Sequence, residues 1–72
     1  MSATIRRPMT PAQEVRAELR HIRSMIEYHR EMLREARLAG HHAAAAKHGA
    51  EVIRFKYRAA DAQRRMMAFG GQ

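Results

Sequence analysis

The groups able to do chemistry in this chain are five histidines, seven carboxylates and fourteen cationic side chains, with no cysteine among them. Twelve of the fourteen cations are arginine. Arginine keeps its charge at any physiological pH and presents a planar fork that matches phosphate oxygens in pairs. The chemistry best served by this inventory is therefore the capture of anions. Catalysis is poorly served. There is no glycine-rich phosphate loop, no serine with a base at a recognisable spacing and no zinc-protease signature, so an enzyme is not expected.

Glu27, Glu31 and Glu35 descend one line at steps of four, with Arg30 and Arg34 three residues on. That spacing gives a solvated ion-pair face. His21 belongs on the surface, and His41 and His42 fall at a turn not far from His48. They lack the carboxylate or thiolate company that a metal site of three or four converging ligands needs, so neither metal nor other cofactor is expected. His29 and His48 differ, because both fall on apolar seams one layer apart on facing helices. A polar residue in such a seam can fix register; the expected state is a neutral, satisfied core imidazole, with a pH-sensitive core as the sharper alternative.

The elements that must hold these groups are helices. Ala12, Val15, Leu19, Ile22, Ile26, His29, Leu33, Ala36 and Gly40 recur at alternating steps of three and four, the heptad pattern of a helix packed lengthwise on another. Beside that seam run Arg16, Arg20, Arg23, Glu27, Arg30, Arg34 and Arg37. Thr10-Pro11-Ala12-Gln13 spells a helix start: a capping threonine, proline at the first helical position, and a glutamine able to close a capping box. Carried past Gly40, the first seam would bury Lys47, Arg54 and Asp61. A shifted seam of Ala45, His48, Val52, Phe55, Ala59, Ala62, Met66 and Phe69 is apolar instead. The phase break falls at a glycine suited to a left-handed cap, so the chain is expected to fold back.

The expected fold is all-α, an antiparallel two-helix hairpin: a basic arm over 1–9, a helix over 11–39, a turn over 40–42, a helix over 43–69 and a tail over 70–72. Folding back pairs residue numbers summing to about 81, which sets Ile26 against Phe55, Ile22 against Ala59, Leu19 against Ala62 and Val15 against Met66, with a large side chain facing a small one in the two middle layers.

A chain of 72 residues without disulfides has a thin core, and self-association is its remaining source of stability. A second apolar stripe on the second helix (Ala46, Ala50, Ile53, Tyr57, Ala60, Met67), widened by Met25 and Met32, supplies the oligomer interface. The simplest product is a four-helix bundle, or a higher helical oligomer, with the second helices inside.

Arg6, Arg7, Arg16, Arg20, Arg23, Arg58, Arg64 and Arg65 are the expected phosphate- or anion-binding residues, gathered toward the open end of the hairpin. A net charge of +7 points the same way. Three classes of partner follow. The first is nucleic acid, structured RNA or duplex DNA gripped by its backbone, in a regulatory role. The second is an acidic protein surface, the chain acting as an interaction module or phage-type inhibitor. The third is a small anionic nucleotide sequestered between subunits. Helix-turn-helix spacing is absent, and two tyrosines are too few for single-strand stacking. The first ten residues carry no apolar leader and no segment reaches membrane-spanning length, so a cytoplasmic protein is expected, with no membrane partner.

Overall fold

The computed structural model describes residues 8–69. The expected arm and tail, with Arg6 and Arg7, lie largely or wholly outside them. Two helices fill the described chain, α1 (Pro11–Leu38) and α2 (His42–Phe69), packed on one another as a hairpin, and no strand occurs among the described residues.

The start of α1 follows from its first four residues. Thr10 is extended (φ −68°, ψ 157°), and its Oγ1 accepts from the Gln13 N–H at 3.1 Å. The Thr10 N–H donates in return to Gln13 Oε1 at 2.9 Å, which completes the capping box. Two of the donors a helix start leaves open are satisfied in this way.

The end of α1 comes one residue earlier than expected, and α2 starts one residue earlier. The connection is Ala39, Gly40 and His41. Gly40 has φ +73°, and its N–H donates to the Arg37 carbonyl at 3.1 Å, while the His41 N–H donates to the Ala36 carbonyl at 2.8 Å. That pair of bonds is a Schellman closure, which pulls the last carbonyls of α1 inward and needs a residue tolerant of positive φ at its centre. The His41 carbonyl then accepts from the Ala45 N–H at 2.9 Å, so the residue that closes one helix opens the next.

Both seams meet as their spacing requires. Val15, Leu19, Ile22, Phe55 and Ala62 form the buried core, with Met25, Ile26, Ala59, Met66 and Phe69 packed against it. Nearer the turn, His29, Ala36 and Val52 are buried. Ala12, Leu33 and Ala45 occupy seam positions yet stay half-buried, because a two-helix layer covers each seam from one side only. Among the described residues no helix is long and apolar enough to cross a membrane.

Candidate functional site

The expected cationic residues do not share one environment. Arg16, Arg20 and Arg23 on α1 are exposed, and no carboxylate among the described residues lies within ion-pair distance of them. Arg58 lies over the Phe55 ring, its guanidinium carbon 5.6 Å from the centroid, an arrangement that holds the cation against the core by its stem. Arg64 reaches Asp61 at 3.4 Å.

Arg65 is the most engaged of the set. Its two terminal nitrogens donate to the two oxygens of Glu18 at 3.2 and 2.7 Å, and its Nε lies 3.2 Å from Asp61. The hydrogen bond from Arg65, helped by the charges of Arg65 and Arg58, holds the Glu18 carboxyl below its ordinary value; the same contact raises Arg65.

This pairing settles which side of the hairpin each arginine occupies. On α1, Glu18, Met25 and Met32 repeat at seven along one flank of the seam, and Arg16, Arg23, Arg30 and Arg37 repeat at seven along the other. The Glu18–Arg65 bond assigns Arg65 to the first flank. Arg58, one heptad earlier, shares it. The single positive end expected from the sequence is therefore divided in two: a mixed flank with Glu18 and Asp61, and an arginine flank on α1.

That second flank includes two residues outside the expected set, Arg30 and Arg37. Both are exposed and free of carboxylate partners among the described residues. The expected ion pairing of the neighbouring glutamates holds only for Arg34 with Glu31, at 3.0 Å; Arg30 makes no such contact. The seven-residue recurrence from Arg16 to Arg37 was the signal that could have found them. It places four guanidinium groups along a line of about 31 Å at 1.5 Å per residue.

The chain matches no protein-family model, no curated protein and no solved structure.

The expected interface residues also part company. Met25 packs against the hairpin's own core and Met32 is half-buried. Ala46, Ile53, Tyr57 and Met67 stay on the surface of α2, and Ala60 is half-buried between them and the core.

The histidine pair is closer than its seam positions imply. His29 Nδ1 and His48 Nδ1 are 2.8 Å apart, with the His29 ring stacked on Phe55 at 5.8 Å and Tyr28 edge-on to both imidazoles. No cluster of three or more histidine, cysteine or acidic side chains among the described residues is placed to hold a metal ion.

Proposed function

We propose that this protein is a small basic, self-associating helical hairpin that binds the phosphate backbone of double-stranded nucleic acid, structured RNA or duplex DNA, in a regulatory role. The observation that carries this reading is the line of Arg16, Arg23, Arg30 and Arg37, with Arg20 beside it, unpaired among the described residues and on one flank of a single uninterrupted helix. Paired cations lose most of their pull on an outside anion, whereas these keep it. A line of about 31 Å spans roughly nine phosphates of one duplex strand at 3.4 Å each. The flank carries no aromatic ring for bases to stack on, and Gln13, the amide beside Arg16 and Arg20, is engaged in the helix cap, so the binding it supports is shape- and charge-driven.

A duplex-binding titration followed by fluorescence anisotropy at about 50 mM salt, where phosphate contacts are strongest, tests the reading. The triple change Arg16→Glu, Arg23→Glu, Arg30→Glu should abolish binding. The matched change Lys47→Glu, Arg58→Glu, Arg65→Glu, which removes the same charge away from that line, should leave most of it. No binding by the unmutated chain overturns the nucleic-acid reading.

A second reading, a protein-interaction module, is favoured by the exposed apolar side chains of α2. Its association would resist salt, whereas phosphate binding weakens with salt by about one unit of log affinity per log salt for each phosphate neutralised.

A further inference from the structure

The largest feature left without a partner is the outer face of α2. Ala46, Ala50, Ile53, Tyr57, Ala60 and Met67 follow at alternating steps of four and three, with Arg64 completing the spacing. This is a second full heptad seam on one helix. Its centre lies roughly 160° around α2 from the seam that holds α1, taking 100° per residue. Ile53, Tyr57 and Met67 are 58, 75 and 78 % exposed, and Ile53, Lys56, Tyr57 and Ala60 line a shallow groove.

We infer that this seam pairs with the same seam of a second copy, antiparallel, with facing residue numbers that sum to about 117. The inference rests on the self-association in the proposed function and specifies its geometry. Two features of the sequence on this face select the register.

The first is size. In this register Tyr57 faces Ala60 of the partner subunit, Met67 faces Ala50 of the partner subunit, and Ile53 lies along the stem of the partner's Arg64. Every layer sets a large side chain against a small or flexible one, as interdigitation requires. A parallel pair would stack Arg64 on Arg64 in the seam and leave a void where Ala46 and Ala50 meet their own copies.

The second is charge. The flanks bring Arg54 to Asp61 of the partner subunit, twice by symmetry, and Lys56 to the uncharged Gln63 of the partner subunit. Shifting the register by one heptad would set Arg54 against Arg54 and Lys56 against Lys56 in one direction, and Asp61 against Asp61 in the other. Arg54 now pairs with the half-buried Glu51 at 3.0 Å and Asp61 with Arg64 and Arg65, all one turn away along α2 and with the arginines and Asp61 exposed. Such pairs are weak and re-form readily.

The pairing has a consequence for the arginine line. A two-fold axis perpendicular to the helices keeps each flank on its own side of the layer. Lys56 and Gln63 lie on the flank of α2 that the hairpin register sets beside Arg23 and Arg16. Both copies therefore turn their arginine lines to the same face. The angle between the two seams of α2 falls short of a straight line on that side, so the face is concave.

The lack of native cysteine makes the register directly readable. Ala50→Cys and Met67→Cys variants, each helical by circular dichroism, are oxidised separately and as a mixture. The expected result is a disulfide-linked dimer from the mixture and none from either variant alone. Self-linking of either variant alone means parallel pairing and overturns the inference, as does a mixture that stays unlinked. A charge exchange gives the same reading without cysteine: Arg54→Asp should weaken the dimer about tenfold, and Arg54→Asp with Asp61→Arg should restore it, two exposed ion pairs being exchanged. Failure to restore it also counts against the register. Light scattering on the unmutated chain separates the failures. A mass of 8.3 kDa removes self-association itself, whereas twice that mass without the mixed disulfide removes only the register. Duplex binding, read independently on the same protein, reports on the arginine line alone.

Discussion

His29 and His48 are joined through their Nδ1 atoms at 2.8 Å, so each supplies what the other lacks: one ring donates a proton and its partner accepts it. A single proton satisfies the bond. Two would set N–H against N–H across a half-buried contact beside Phe55, and none would leave two lone pairs facing. The pair is thus a helix-to-helix link defined by its proton count.

That link predicts a coupling between the two sites. His29→Leu and His48→Leu should each destabilise the hairpin, and the double change should cost less than the sum of the two, because either single change already breaks the 2.8 Å bond. Strictly additive losses in a double-mutant cycle read from urea unfolding would show that the bond contributes nothing.

Glu18 predicts a dependence of stability on pH. Its carboxyl is held below its ordinary value of 4.5, first by the hydrogen bond from Arg65. A depressed carboxylate contributes stability that is fully present above 4.5 and is lost as pH falls through the folded value. Glu18→Gln should therefore be less stable than the unmutated chain at neutral pH, with the difference closing under strong acid. The contact is solvent-exposed, so the expected gap is small and best read from urea midpoints.

Ile22 sits at the centre of the core with 1 % of its surface exposed. Ile22→Ala should cost about 2–5 kcal/mol in denaturant unfolding, the range for emptying a buried aliphatic site. Tyr57→Ala, at an exposed site, should leave the stability of the hairpin itself within about 0.5 kcal/mol and weaken only association, measured at a dilution where chains are single.

Gly40 isolates a backbone effect. A β-carbon built there meets nothing within 4 Å, yet φ is +73°. Gly40→Ala should destabilise by about 1–2 kcal/mol through the left-handed conformation alone. Asn in its place should recover part of the loss, since asparagine tolerates that region. Equal stability of all three by thermal melting would contradict the strain argument.

The hairpin and both of its seams could be read from the sequence because heptad spacing is a property of the chain alone. The phase break at Gly40 also fixed the direction of the second helix. The side chains that cross between helices were harder to read. His29 and His48 sit a layer apart in the seams, and only their reach along the diagonal brings the rings together. Glu18 and Arg65 are 47 residues apart, so their bond appears only once the register is known. That bond in turn moves Arg58 and Arg65 away from the flank of Arg16 and Arg23. Counting charge toward one end of a helix pair ignores which side of the seam each residue takes, and here the side decides which guanidinium groups remain unpaired.

The bonds that close α1 at Gly40 and His41 also bear on how quickly and in what order the chain folds. They bring the two helices together across three residues, so contacts beside the turn form at little entropic expense, while Glu18 and Arg65 must close nearly the whole chain. Folding should therefore zip from the turn outward. Changes at Ala36 or Val52 would slow refolding, and changes at Val15 or Arg65 would leave the refolding rate nearly untouched and speed unfolding instead. The open end is thus the last part to assemble and the first to fray, and a ligand bound there would act mainly as a brake on unfolding.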